Sequence, residues 1–530
     1  MSPDTETPGE VQPDNDQIVT QQIRGSTLLL AGKVISVFVN LLVQVIIIRE
    51  LTKGEYGAFA YALSLVTTAS TVITLGIDRG ITRFVAIYDE QGEFNKAFGT
   101  IALQLSTILS LGSLCVIAVL GLQSWITGSL IDDRQTVTVL VILVFLAPVQ
   151  AIDGMMGGLF AVYAKPRAIF FRRNVLTPAM RLAVAGLLVA SGGGPRMLAA
   201  GYVVTGIVGV ATYTYLLIGI MRRRGILRHA RPRSLSFPVK EVMAYTLPLL
   251  SSDVLFILLN TADAVLLGRY GGTEDVASYK VILPAAKMNQ VVLLTFGVLF
   301  TPMAARLFAR DDRDGIGRLY WETAAWVAVF SFPILALTTS LAPTITEVLF
   351  GSRYRSSWVY LALVSGGYYF SAALGFNSTT LKVLGRVRYI VGVSAVAALA
   401  NLVLSLVLIP RHGPLGAAIS TLTTLVIYNS LNQLGLRSDR GIGVFSFAHA
   451  RVYVAIIGAI SAVAVVQVMS DPALPVALLV AGLATLAVFA TARSQLDIAR
   501  TFPEVARMPL AGRLLVSARN QRDAGPPPPR

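Results

Sequence analysis

About fourteen stretches of roughly 20 apolar residues follow one another along the chain, each long enough to cross a bilayer as a helix. Their cores lie near 26–48, 56–77, 97–122, 137–161, 174–191, 198–221, 242–268, 279–303, 320–341, 355–377, 388–409, 414–436, 450–469 and 473–491. Few folds are open to such a chain. In hydrocarbon every backbone N–H and C=O needs a partner, and a helix supplies them within one segment. Only 14% of the residues are charged, against about 25% in soluble domains. The expected fold class is all-α, a polytopic membrane protein of about fourteen transmembrane helices.

The basic residues test that count. With the N-terminus inside and one crossing per stretch, 32 of the 44 Lys and Arg fall in inside-facing segments, 8 outside and 4 within helices. Clustered Lys and Arg stay cytoplasmic during insertion, so this asymmetry is what fourteen crossings should show. The densest cluster is Arg222–Lys240, with seven basic residues and two prolines. It reads as a cytoplasmic linker between two membrane halves. The expected divisions are a disordered cytoplasmic tail at 1–23, a six-helix bundle at 24–221, the basic linker at 222–240, a second six-helix bundle at 241–436, two further helices at 437–492, and a basic cytoplasmic tail at 493–530. Both termini are expected inside, in the plasma (cytoplasmic) membrane.

Other classes find little support. The net charge of +15 would suggest nucleic acid in a soluble protein; here it sits in short loops, where it sets topology and attracts anionic membrane lipids, and no nucleic-acid partner is expected. Cys115 is the single cysteine, so the chain has no internal disulfide. His229, His412 and His449 are far apart and give no metal-ligand spacing. The sequence holds no GxxxxGK[ST], GxSxG or HExxH run. No catalytic residue, metal or cofactor is expected, and the chain does not read as an enzyme.

An internal repeat appears when the sequence is slid by 220 positions. Residues 28–61 then lie over 248–281 without a gap, with Asn40 on Asn260, Arg49 on Arg269, Glu55 on Asp275 and Phe59 on Tyr279. Lys33 falls on Asp253, a pair of opposite sign. Six crossings separate the copies, so both run the same way through the membrane. A parallel repeat of this kind, with substrate bound between the halves, is an architecture of secondary transporters.

Polar residues inside the apolar stretches fall on stripes. Lys33, Asn40 and Gln44 are spaced seven and four; Asp253, Asn260 and Asp263 seven and three; Lys280, Lys287 and Gln290 seven and three. Each set shares one helix face. Asn174, Pro178 and Arg181 share another, and Gln150 and Asp153 lie on the fourth stretch. A charge at the bilayer centre costs about 2.5–3.5 kcal/mol on insertion scales, so it usually faces a watery cavity or a partner. Lys33, Lys287, Lys280 and Arg181 are therefore candidates to hold an anionic headgroup. Asn40, Gln44, Asp153, Asp253, Asn260 and Asp263 are candidates to line the cavity or bind a coupling ion. The plainer alternative is ion pairing inside the bundle, or snorkelling for a group near a helix end such as Lys280.

Several stretches resemble the lipid-linked oligosaccharide flippases of polysaccharide transport, within the multidrug/oligosaccharidyl-lipid/polysaccharide exporter superfamily. They are the R-x-L-x-x-x-x-Y-G element at Arg49–Gly57, LGIDRGITRF at 75–84, NTADAVLLGRYGGTEDVASY at 260–279, LFGSRYRSS at 349–357, LKVLGRVRY at 381–389 and NLVLSLVLIPRHGPLGAAIST at 401–421. Ala277 stands where the family has Gly. The resemblance implies two pseudo-symmetric six-helix bundles in the V-shaped exporter fold plus two C-terminal helices. It also implies transfer of a polyprenyl-pyrophosphate-linked oligosaccharide from the inner to the outer leaflet by alternating access, with Na+ or H+ as coupling ion and glycan-assembly proteins as partners. Two other readings remain: an ion-coupled multidrug exporter of the same superfamily, and a non-transporting membrane scaffold. Embedded cations at least equal the embedded acids, which favours an anionic substrate over a cationic drug.

Overall fold

The structure, a computed structural model, describes Gly32 and residues 35–493 apart from 75, 130, 132, 164–169, 224, 227–234, 438–441, 444–445 and 471. The side chains of 78, 79, 129, 173, 247–260, 298 and 299 are also outside the description. Lys33, the 1–23 tail, nine of the nineteen residues of the 222–240 linker and all but the first residue of the 493–530 tail therefore fall outside it. Every regular element among the described residues is helical.

Helix α1 (35–50) turns at residues 51–52 into α2 (Lys53–Ile73). Thr52 and Glu55 build that start as a capping box. The Glu55 carboxylate accepts from the Thr52 backbone N–H at 2.9 Å, while the Thr52 hydroxyl accepts from the Glu55 N–H at 3.3 Å. Gly76, at φ +69°, breaks the run before α3 (Ile77–Glu90). Then come α4 (Phe94–Gly121), the short α5 (Gln123–Ser129), and α6 (Arg134–Leu143) with α7 (Leu146–Tyr163), which make one broken span. A π-helical turn at Phe171–Leu176 opens α8 (Thr177–Ser191), and α9 (Pro195–Arg223) ends at the linker. On α4, Leu109, Leu114 and Ile117 are exposed. That is the lipid-facing pattern of a span whose packing is not driven by burial from water.

After the linker, α10 (Val239–Tyr270) is followed by a broken span made of α11 (Gly272–Lys280), α12 (Leu283–Lys287), a 3-10 turn at Met288–Gln290 and α13 (Val291–Ala309). This span bends by 45° between Gly297 and Phe300. Next are α14 (Arg313–Ser340), α15 (Ala342–Phe350), and α16 (Trp358–Ala373) with α17 (Asn377–Val383), a second interrupted span. The remaining helices are α18 (Val387–His412), α19 (Pro414–Arg437), α20 (Ala450–Ser470) and α21 (Leu474–Ala492). α18 and α19 pack together and against α10 and α16, while α20 and α21 pack on α14.

Helix covers all or part of each of the fourteen apolar stretches. Among the described residues ten helices are long and apolar enough to cross a membrane, or eleven if the bent pair is one span. The structure therefore supports a multi-pass membrane protein, with the count of fourteen left as the expectation from sequence.

The elements before and after the linker meet most closely where α2 lies on α11 and α10. Thr68 donates to Thr261 across this contact at 2.8 Å. A Cβ added at Gly57 would sit 1.9 Å from the Thr273 carbonyl oxygen, whereas one at Gly54 would be 3.9 Å from the Thr273 hydroxyl. Gly57→Ala is thus expected to destabilise this packing by about 1–3 kcal/mol. Thermal unfolding in detergent should show a lowered Tm for Gly57→Ala, and an unchanged or raised one for Gly54→Ala. Equal values for the two variants would show that this close approach does not contribute to stability.

Candidate functional site

A cavity of about 240 Å³ lies between the two halves. Gln44 of α1 and Tyr56, Phe59 and Ser64 of α2 form one wall; Lys280, Pro284 and Lys287 form the other. The break at 281–282 sets the second wall. Pro284 in the first turn of α12 lacks an N–H and starts a new helix there, so Lys280 ends one segment and Lys287 the next. The Tyr56 hydroxyl donates to Gln44 Oε1 at 3.4 Å. The Lys287 ammonium lies 5.9 Å from the centroid of the Tyr368 ring on α16. Two ammonium groups, an amide and a phenol converge here, a set that suits phosphate oxygens.

Three of the sequence candidates, Gln44, Lys280 and Lys287, therefore share one cavity. The others are placed differently. Lys33 is outside the described residues, and Asp253 and Asn260 lie in α10 where side chains are not described. Asn40 donates to the Ser36 carbonyl of its own helix at 2.7 Å. Arg181 is not among the residues lining the cavity. Its guanidinium stacks over Tyr202 at 5.3 Å, and Tyr202 meets the cavity residue Phe59 edge-on at 5.1 Å.

Asp263 is buried in the second half. It accepts from Ser405 at 2.9 Å, Tyr279 at 3.2 Å and Thr421 at 3.2 Å, and Tyr279 and Thr421 are themselves 2.6 Å apart. The Lys280 charge lies within coulombic reach of this carboxylate. Asp153 pairs with Arg172, which also donates to Thr177 at 3.0 Å and stacks over the Tyr213 ring at 4.4 Å. Arg172 sits in the π turn just before the span that starts at Asn174, and is 6% exposed.

Further contacts join the halves near the linker and near the turn between α1 and α2. On the side bearing the linker, the Tyr88 hydroxyl donates to Glu241 at 2.6 Å, and Arg83 stacks over Tyr245 at 4.6 Å. Burial, then the hydrogen bond to Glu241, pushes the Tyr88 phenol up to about 12, so it remains a donor at physiological pH. On the opposite side Arg49 donates to the carbonyls of Leu349 and Val348, and Arg353 donates to those of Leu51 and Arg49. Lys53 reaches Glu274 at 3.7 Å.

A second cavity, about 380 Å³, lies within the second half between α13, the α16–α17 break and α19. Its lining holds hydroxyls and amides and no charged side chain.

A family model described as polysaccharide biosynthesis protein matches residues 23–308, and the MatE model matches residues 248–407. Three curated proteins are similar over 34% of the chain. They are the uncharacterized membrane protein MJ1068 of Methanocaldococcus jannaschii (23% identical, 36% of that protein covered), the capsular polysaccharide biosynthesis protein CapF of Staphylococcus aureus (22%, 46%) and the probable multidrug resistance protein NorM of Thermotoga maritima (25%, 41%). The chain thus matches less than half the length of each of these relatives. Among solved structures, lipid II flippase MurJ in an inward closed conformation superposes with a TM-score of 0.66 at 13% identity, covering 91% of this chain and 100% of that one. A multidrug resistance MATE family transporter matches in an inward-facing conformation (TM-score 0.55, 14% identity, 78% and 97% covered). An outward-facing one matches with a TM-score of 0.53 at 15% identity, covering 79% and 94%. At these identities the structural matches establish the exporter fold.

Proposed function

We propose, because the chain belongs to the polysaccharide biosynthesis protein family, that it moves a polyprenyl-pyrophosphate-linked oligosaccharide across the membrane by alternating access between its two halves. The observation that carries this reading is the convergence of Lys280 and Lys287 on one cavity at the junction of the halves. A pyrophosphate entering that cavity would gain charge-assisted hydrogen bonds that are strong in a site of low dielectric. The polyprenyl tail would stay in the bilayer. In this reading the halves are 24–221 and 241–436, joined by the basic linker, with 437–492 as two added helices. The basic side is cytoplasmic, both termini lie there, and transport runs towards the outer leaflet of the cell membrane. Glycan-assembly enzymes would supply and consume the lipid-linked sugar.

Asp263 is the coupling-ion candidate within this reading. A carboxylate buried at bilayer depth is neutralised by a cation or a proton, and the hydroxyls of Ser405, Tyr279 and Thr421 already orient it. Na+ or H+ bound there would change the charge that faces Lys280, and so would act on the anion cavity.

The test is reconstitution in liposomes with a fluorescent polyprenyl-pyrophosphate oligosaccharide, followed between leaflets. Wild type is expected to move it. Lys280→Ala and Lys287→Ala are expected to slow transfer about ten- to a hundredfold each, given about 1.5–3 kcal/mol for a hydrogen bond to a charged group. If wild type leaves that lipid in place while a proton or sodium gradient drives efflux of a cationic dye, the drug-exporter reading replaces this one.

A further inference from the structure

We propose that the uncharged cavity within the second half is a subsite for neutral sugar rings of the substrate, set beside the pyrophosphate cavity. This rests on the pyrophosphate reading above. Two broken spans meet at this cavity. One bends by 45° between Gly297 and Phe300, and the other is interrupted between α16 and α17 at residues 374–376. Non-helical backbone at membrane depth is tolerated where it is buried in protein or lines a water-filled cavity, and broken spans commonly form the substrate sites of transporters.

The two cavities are neighbours along two elements. Lys287 closes α12, and the same span continues into α13, which lines the second cavity from Leu293 to Thr301. At 1.5 Å per residue these positions lie about 10–20 Å further along. On α16, Tyr368 faces the Lys287 ammonium, and Ser371, three residues on and therefore on the same face, lines the second cavity. An anionic group held at Lys280 and Lys287 would thus have a polar, uncharged compartment next to it along the span.

The lining chemistry selects the occupant. Thr301, Ser371 and Thr379 offer hydroxyls, Asn377 and Asn429 amides, and Tyr428 a phenol and a ring face. Such a set both donates and accepts and can stack on a ring, which matches a hydroxyl-rich sugar. Asn377 is already fixed: it donates to the Asn429 carbonyl at 3.1 Å and accepts from the Ser378 N–H at 2.6 Å. No cation lines the cavity, so an acidic sugar would bring a charge to a place that does not compensate it. The volume, about 380 Å³, is at the lower end of the roughly 300–1,000 Å³ of small-molecule pockets. It therefore suits a short sugar segment rather than a whole polymer.

The experiment measures binding to full-length protein in nanodiscs with three probes: farnesyl pyrophosphate, farnesyl-pyrophosphate chitobiose, and the same lipid bearing glucuronic acid. Wild type is expected to prefer the chitobiose probe to the bare pyrophosphate by about tenfold, the gain from one or two net hydrogen bonds. The glucuronate probe is expected to bind no better than the bare one. Filling the cavity with Thr301→Leu and Ser371→Leu should abolish the preference, and the conservative pair Thr301→Val and Ser371→Ala should reduce it if the leucine pair does not fold. A preference that survives these changes, or a glucuronate probe as tight as chitobiose, overturns the neutral-sugar subsite while leaving the pyrophosphate reading standing. A wild type that binds none of the three overturns the pyrophosphate reading and this subsite with it.

Discussion

Arg172→Leu is expected to destabilise the first half of the protein by about 1–3 kcal/mol, the cost of removing one partner of a hydrogen-bonded pair when the carboxylate left behind is part-exposed. Arg172 joins three helices. It pairs with Asp153 on α7, donates to Thr177 at the start of α8, and stacks on Tyr213 of α9. Tyr213 in turn stacks on Phe160 of α7 at 4.5 Å. Leucine keeps some packing on Tyr213 but leaves the Asp153 carboxylate without its guanidinium. Asp153→Asn should cost less, because Arg172 retains the ring face and Thr177, and the Asp153 side chain is 34% accessible. A double-mutant cycle with Arg172→Leu and Asp153→Leu, read by thermal unfolding in detergent, should give a coupling of about 1–3 kcal/mol. The cycle also decides what Asp153 does. If Asp153→Asn keeps its Tm yet stops ion-coupled transport, Asp153 is a coupling group rather than a structural partner.

Much of the fold was legible from sequence because bilayer thickness imposes a length and a composition on each span. The breaks within spans were harder to see. The break before Pro284 and the bend between Gly297 and Phe300 interrupt helix without interrupting the apolar run 279–303. Hydropathy averages over such breaks, although they shape both cavities. Phe59 and Tyr279, matched when the sequence is slid by 220, lie on α2 and α11, which pack against each other.

The candidate site was legible only in part. Lys280, Lys287 and Gln44 could be found because charge and amide on an apolar face stand out. Asp263 stood out too, but its partners Ser405 and Thr421 are ordinary membrane-helix residues whose meeting depends on how α10, α18 and α19 pack. The pairing of Arg172 with Asp153 was not legible, because Arg172 belongs to a basic run, Lys165–Arg173, that reads as loop. The motifs first noticed as family marks have physical roles in the structure. In Arg49–Gly57, Arg49 binds the opposite half, Glu55 caps α2, Tyr56 meets Gln44, and Gly57 permits the approach to Thr273. In 349–357 the comparable residue is Arg353. No periodicity links Arg49 to Arg353, some 300 residues apart in sequence.

Replacing Arg49 and Arg353 together by alanine is expected to open the side of the protein opposite the linker. The two arginines form a reciprocal clasp. Arg49 caps the last carbonyls of α15, which lies after the linker, and Arg353 caps the last carbonyls of α1, which lies before it. Each guanidinium thus satisfies acceptors that a helix end leaves over, and places positive charge at the negative end of the other half's helix dipole. Both side chains are exposed, so each cap is worth about 1 kcal/mol rather than the larger figure of a buried charge. Losing both removes about 2 kcal/mol from the closed arrangement, which moves a two-state equilibrium about thirtyfold towards opening. The cavity residue Ser64 provides a reporter, since Cys115 is the single native cysteine and can first be replaced by alanine. With Ser64→Cys in that background, an impermeant maleimide added from the side opposite the linker should label the Arg49→Ala/Arg353→Ala protein at least about tenfold faster than its parent. Arg355→Ala should not change the rate, because Arg355 pairs with Glu347 at 3.7 Å within the second half. Equal rates in all three proteins would mean that the clasp does not hold the closed state. The packing of α2 on α11 around Gly57 and the Lys53–Glu274 pair would then be left as the contacts that do.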